Sequence, residues 1–450
     1  MGNILIRNCD IVDTVTEKVN KGSVLICGDT IKGVFENAVS DDELSAALNT
    51  RAFKLSDFDG HIDSNKVIDA AGLTLVPGLI DMHVHFRDPG LTEKEDLEHG
   101  EAAAAHGGFT TVCAMPNTKP PIDDADKFLD VTKRADAIGL TKVLQVGAMT
   151  AGMQGEKLSD MEGMAKAGLK AFSEDGKSVM DTTLFYSAME KAASLNIPVL
   201  SHCEDKALVR GGVMNYGAKS KEFKLPGITN SVENIIAYRD IDIARETGTR
   251  LHLCHCSTKE SAELLIIAKD MGLPVTGEVC PHHFILCDDD IPSADDANYK
   301  MNPPLRSKTD RTALLEAIKE GIFDVISTDH APHTAEEKSK GFSGSPFGIV
   351  GLETSFALSY TYLVKSGLIT LPKLIQKMSF NPAKILGLDR GEIREGKIAD
   401  LTLIDLNKTY KINPDDFKSK GRNTPFGEYE VSGEIEYTIY GGKISYEMLQ

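Results

Sequence analysis

No apolar run in these 450 residues reaches the roughly 18 needed to span a bilayer, so membrane partners are not expected. The opening residues, MGNILIRNCDIVD, lack the basic-then-apolar layout of a secretion signal and read as a β-strand. Positive charge is scarce. Against 67 Asp and Glu stand 49 Lys and Arg, a net charge of −18, which makes nucleic acid a poor partner. An anionic substrate would therefore need a positive field made locally by its own site. The eight cysteines have no zinc-ribbon spacing, and several sit in apolar runs where Cys behaves as a small hydrophobe. They suit a reducing cytoplasm, and Cys254-x-Cys256 reads as strand packing rather than a metal clip. Hydrophobic residues at 41% and charged residues at 26% are ordinary for a globular enzyme.

What the chain does have is alternation. Eight apolar, β-branched-rich runs recur: Leu75–His85, Thr110–Met115, Val143–Met149, Leu169–Ser173, Pro198–His202, Arg250–Cys256, Pro274–Cys280 and Phe323–Asp329. Amphipathic segments lie between them, among them Asp126–Ile138, Thr182–Leu195, Lys259–Met271 and Thr309–Glu320. Ser257 with Glu260, and Thr92 with Glu95, have the spacing of capping boxes at helix starts. Eight strand–helix units predict a (β/α)8 TIM barrel. A doubly wound open sheet is the runner-up, but no Gly-rich nucleotide fingerprint follows the first strand.

The chain ends read as β structure instead. Ile4–Val12 and Ser23–Phe35, the latter turning at Gly28-Asp29, are matched by Asp400–Ile404, Glu434–Tyr440 and Lys443–Tyr446. Residues 1–75 and 392–450 are thus expected to form a small composite β-sandwich domain. Residues 76–391 would form the catalytic barrel, with 41–65 an exposed polar insertion.

Polar residues collect at the C-terminal ends of the barrel strands, where such barrels place their chemistry. His83-x-His85 is the strongest local signal, because residues i and i+2 on a strand share a face. Alone, the pair could be two hydrogen-bonded strand histidines. His202, His255 and Asp329 at three further strand ends favour a metal site, since imidazole and carboxylate suit zinc. Two ions need a bridging anion, and spacing leaves two candidates: Asp175, or Lys170 as a carbamate. His61, His99 and His106 read as irrelevant or structural, His330 as facing away from the barrel centre, and His252 as lying deeper in its strand. His282-His283 is undecided between packing and support of a ligand, and His333 lies close enough to touch a substrate. Arg87, two residues after His85, can grip a carboxylate bidentately or else pair with Asp88 or Asp96.

These motifs resemble the amidohydrolase superfamily, and closely the bacterial type I dihydroorotases. The resemblance runs through Val76-Pro-Gly-Leu-Ile-Asp-Met-His-Val-His-Phe-Arg-Asp-Pro-Gly90, Ala114-Met-Pro-Asn-Thr118, Ala171-Phe-Ser-Glu-Asp-Gly176 and Ser201-His-Cys-Glu-Asp205. It continues in His255-Cys-Ser-Thr258, Glu278-Val-Cys-Pro-His-His283, Lys300-Met-Asn-Pro-Pro-Leu-Arg306, Thr328-Asp-His-Ala-Pro-His-Thr-Ala-Glu-Glu337, Pro346-Phe-Gly348 and Arg394-Glu-Gly-Lys-Ile-Ala-Asp400. It implies two zinc ions with a bridging hydroxide. His83 and His85 would hold one ion, His202 and His255 the other, Asp175 would bridge, and Asp329 would complete the first ion and act as acid/base. Arg87, Asn117 and His333 would hold the substrate carboxylate, with His85, Asn302, Phe347 and Gly348 also against the substrate. The implied reaction is reversible closure of N-carbamoyl-L-aspartate to dihydroorotate in pyrimidine biosynthesis, in a cytoplasmic homodimer. Two departures stand out: the insertion at 41–65 is long for the family, and Lys170 sits in the Lys-x-Phe context that relatives carboxylate. A hydantoinase, dihydropyrimidinase or allantoinase is the nearest alternative, and a silent scaffold the remote one. The loop Thr334–Ser345 is expected to be mobile.

Overall fold

The computed structural model describes residues 3–37, 39–47 and 65–448. Its centre is a parallel barrel whose strands follow chain order: Leu79–Val84, Phe109–Ala114, Lys142–Gln145 continued by Gly147–Ala148, Phe172–Ser173, Val199–Ser201, Leu251–Leu253, Val275–Val279 and Val325–Ile326. Closure comes from a parallel bridge between Val84 and His330, with His85 N donating to His330 O at 2.8 Å. Inward side chains, including Ile80, Met82, Val146, Leu200 and Val325, fill the interior as a packed core rather than a pore. Among the described residues, no helix is long and apolar enough to cross a membrane.

Both chain ends join one eight-stranded sheet. Its order is Lys443–Glu447, Glu430–Tyr440, Leu401–Lys411, Thr74–Pro77, Asn3–Asp13, Lys18–Cys27 and Thr30–Glu36, with Asn65–Asp69 also paired to Asn3–Asp13. Leu75 lies opposite Leu403, so an early and a late segment are stitched side by side, and Ile6, Val24, Ile26, Leu401 and Ile439 bury the sheet's apolar face.

The run Leu75–His85 is not one strand. Thr74–Pro77 belongs to the terminal sheet and Leu79–Val84 to the barrel, with Gly78 at the switch. A Cβ on Gly78 would come within 2.2 Å of the Thr110 hydroxyl, so only glycine lets the chain pass there.

The four amphipathic segments form helices at Ala125–Ile138, Thr182–Ser194, Lys259–Asp270 and Lys308–Lys319, and a longer helix stands at Ser231–Thr247. Neither expected capping box forms. Thr258 caps Lys259–Asp270 through Ser261 N, because Ser257 is turned inward onto Glu233. Asp96 caps Leu97–His106 through His99 N, and Glu95 is buried instead, accepting from Ser419 Oγ and Lys420 N. The insertion begins with a short helix, Asp41–Ala47, that buries Leu44 against Leu5, Leu25 and Val39. Residues 48–64, His61 included, lie outside the described residues.

Candidate metal centre and substrate cavity

The strand ends converge on Asp175, just past Phe172–Ser173. Its Oδ1 lies 3.2 Å from His83 Nε2, 3.4 Å from His202 Nδ1 and 3.7 Å from His255 Nε2, and its Oδ2 lies 3.5 Å from His85 Nε2. Asp329 Oδ1 stands 3.1 Å from His85 Nε2 and 3.6 Å from His83 Nε2. Two trios of ligand atoms result, His83–His85–Asp175 and Asp175–His202–His255, and Asp175 belongs to both.

Two of these atoms meet without hydrogen-bonding, although His85 Nε2 bonds Asp329 Oδ1 and His202 Nδ1 bonds His255 Nε2. His83 Nε2 and Asp175 Oδ1 are buried, and among the described residues neither has a hydrogen-bond partner despite their short separation. Buried polar atoms left unpaired are costly, so atoms aimed at one point without bonding suit a shared cation. Nitrogen and oxygen donors in this number match zinc chemistry. Lys170, the other candidate bridge, is exposed ahead of its strand, whereas Asp175 is buried beyond the strand's end.

Charge is concentrated accordingly. Burial alone would raise the Asp175 carboxyl, but His83, with His202 and His255, outweighs it and holds the group well below the usual carboxylate range. Asp329 is likewise held low: burial opposes ionisation, and His85 and His83 more than compensate.

Supporting groups fix the ligands. Glu278, fully buried, accepts from His83 Nδ1 at 3.1 Å, His252 Nε2 at 3.0 Å and His255 N at 3.1 Å. A ring donating from Nδ1 turns the lone pair of Nε2 outward, toward Asp175. Sequence reasoning missed Glu278. The available signal was an acid inside an otherwise apolar strand, four residues before His282. Asn117 serves His85 similarly, accepting from its Nδ1 at 3.0 Å while donating to Asp175 Oδ2 at 3.1 Å. Asp81, also unassigned from sequence, accepts from His83 N at 2.9 Å and Thr328 N at 3.3 Å, tying the first strand to the eighth. The sulfur of Cys254 lies near His83 and Glu278, their donor atoms within 4.8 Å, while Cys256 donates to Leu253 O.

Over the cluster opens a cavity of about 180 Å³ lined by Arg87, Asn302, Phe347 and Gly348 together with the ligand side chains. Arg87 forms neither ion pair considered for it. Asp88 is taken by Arg134 at 2.8 Å and Asp96 by Lys420, so among the described residues the guanidinium reaches only Pro332 O and His333 Nε2, both at 3.4 Å. His333 stands behind the wall, its Nε2 donating to Phe347 O at 2.8 Å. Asn302 donates to Glu204. Arg87, His255 and Asp329 all have left-handed backbone, with φ of 58°, 35° and 50°. Such conformations cost about 1–3 kcal/mol each for residues with a Cβ and cluster where geometry serves function.

The remaining histidines lie off the cluster. His330 points to Glu95 at 3.5 Å, His252 is held by Glu278, His99 caps with Asp96, and His106 pairs with Glu353. His283 donates to Pro303 O at 2.9 Å and packs on His282. The loop Thr334–Ser345 is built rather than loose: it forms Ala335–Lys338 and Gly341–Gly344, with the Lys338 ammonium buried beneath.

The chain is similar to dihydroorotases of Bacillus cereus (strain ATCC 14579) and Bacillus thuringiensis (strain Al Hakam). Each is 46% identical over 385 residues, covering 86% of this chain and 90% of the relative. Among solved structures, L-hydantoinase (dihydropyrimidinase) from Arthrobacter aurescens superposes with a TM-score of 0.82 at 24% identity, over 100% of this chain and 97% of that one. D-hydantoinase (dihydropyrimidinase) from Thermus sp. gives 0.81 at 24% identity, over 99% and 97%. Both carry the same fold, a TIM barrel with a β-sandwich built from the termini. The amidohydrolase family pattern matches residues 74–445, and the chain belongs to that family.

Proposed function

We propose that this chain is a dihydroorotase, interconverting N-carbamoyl-L-aspartate and dihydroorotate at a two-zinc centre held by His83, His85, Asp175, His202, His255 and Asp329. The observation that carries this reading is Asp175, shared by two histidine pairs beneath a cavity whose one arginine has no carboxylate partner among the described residues. The 46% identity to dihydroorotases supports the same substrate. Bound zinc would polarise the ring carbonyl and lower the pKa of water to about 7.

The chain's own groups do the rest. Arg87 grips the substrate carboxylate with its planar fork, answering the charge problem of a chain at −18. Asp329, 3.1 Å from His85 Nε2, would take the attacking water's proton and return it to the departing ring nitrogen. Its low basicity makes position, rather than solution pKa, the source of its usefulness. Ring closure consumes one proton and releases one water, so acid favours dihydroorotate and alkali the open form. Asn117 lines the cavity and would meet the substrate carboxylate there, while its amide also orients His85 and Asp175.

The eight unpaired cysteines support placement in a reducing cytoplasm. Comparing dihydroorotate with hydantoin as substrates, alongside zinc analysis, tests the proposal. Hydrolysis of dihydroorotate with two zinc ions per chain is the expected result. Preference for hydantoin would establish the hydantoinase alternative, and a metal-free inactive protein the scaffold.

A further inference from the structure

Phe347 and Gly348 form one wall of the cavity, and the carbonyls of this segment are all claimed from behind. Lys300 Nζ donates to Ser345 O and Phe342 O. Lys338 Nζ donates to Gly348 O at 2.9 Å, Pro346 O at 3.3 Å and Lys300 O at 3.2 Å. His333 takes Phe347 O, and Asn423 Nδ2 also reaches Gly348 O at 3.0 Å. Gly348 N closes the arrangement on Lys300 O at 3.0 Å. Gly348 sits at φ 133°, where a Cβ would come within 2.7 Å of Ala331 Cβ, so the wall admits no other residue.

Lys300 and Lys338 are 3% and 7% exposed, and among the described residues neither has a carboxylate at ion-pair distance. An ammonium buried without a counter-charge is expensive even when its protons are bonded. Burial accordingly pushes Lys338 down to about 7 and Lys300 to about 8. An apolar chain of similar volume would fill the space at lower cost, so packing does not account for the pair. Lys338 does not line the substrate cavity. It lines a neighbouring one of about 350 Å³, on the far side of the wall.

We propose that Lys338, seconded by Lys300, is a positioning residue for anionic substrates: it gathers the carbonyl oxygens of 345–348 away from the cavity, so that no backbone dipole of the wrong sign faces the substrate carboxylate. The inference rests on the dihydroorotase reading. It differs from the role of Arg87, which touches the carboxylate directly.

The test uses the zinc-loaded enzyme. Lys338→Met raises KM for dihydroorotate about tenfold, as loss of a charge-assisted hydrogen bond would. kcat and zinc content stay near wild type, and Lys338→Arg restores part of the affinity. Inhibition by anionic orotate weakens, while inhibition by its uncharged relative dihydrouracil does not. Equal weakening toward both ligands, or an unchanged KM, overturns the inference. Lys300→Met is the second variant should Lys338→Met fail to fold, and failure of both makes the lysines scaffold and defeats the proposal. A wild-type enzyme inactive on dihydroorotate would instead overturn the functional reading on which the inference stands.

Discussion

Glu278 Oε1 accepts the Nδ1 proton of His83 at 3.1 Å, and this decides which nitrogen of that ring faces Asp175. The same carboxylate holds His252 and the backbone of His255, so one buried acid orients parts of both histidine pairs. Replacing it by glutamine keeps the volume but removes the charge and turns one of the two accepting oxygens into a donor, so that His83 and His252 no longer both have an acceptor. Glu278→Gln is expected to weaken metal binding about 10- to 100-fold, the usual consequence of losing such a supporting group. Competition with a chelator measures this; wild-type retention of zinc would show that His83 needs no such partner.

Among the described residues, Arg87 is the cavity's guanidinium without a carboxylate, since Asp88 and Asp96 are engaged elsewhere. Arg87→Lys preserves charge but loses the fork. KM for dihydroorotate should rise at least about tenfold, with zinc content unchanged. Equal affinity in the variant would mean that Arg87 does not clamp the carboxylate.

Asp329 is both a proposed ligand and the proposed proton carrier, and the two roles can be separated. Asp329→Asn retains an oxygen donor but cannot take a proton. Turnover should fall by about 10²–10⁴ with zinc largely kept, whereas Asp329→Ala should lose both. Near-normal kcat in the Asn variant would assign the proton transfer elsewhere.

Much of this was legible because strand ends, metal-ligand types and the period-2 pattern are local features. His83 and His85 declare themselves by spacing, and the strand ends holding His202, His255 and Asp329 are found once the barrel is counted. What was not legible depends on long-range pairing. Glu278 looks like any strand acid until His83, 195 residues away, is placed on it. Ser257 and Glu95 have the spacing of caps, but Glu233 and Ser419 claim them from distant segments. The polar composition of Thr334–Ser345 suggested mobility, because no local rule reveals that Lys338 turns inward to three carbonyls. Gly78 likewise hides the switch between two sheets inside one apolar run.

Stability should carry the signature of another buried acid, Glu101, on the helix that follows the first barrel strand. Burial raises its carboxyl to about 7, against the partial relief of accepting Leu140 N at 2.9 Å and Thr141 N at 3.3 Å. Its Oε1 is buried with no hydrogen-bond partner among the described residues. A raised pKa means that the folded chain holds this proton more tightly than the unfolded chain. Between about pH 4.5 and 7 the native state therefore binds more protons, and stability falls as pH rises through that window, by roughly 3 kcal/mol. Glu101→Gln has no charge to bury and keeps an oxygen for the two amides. It should be more stable than wild type at pH 8 and show a flatter dependence between pH 5 and 7. Urea unfolding of both proteins across that range measures the difference. Parallel curves would show that Glu101 ionises in the folded protein without penalty.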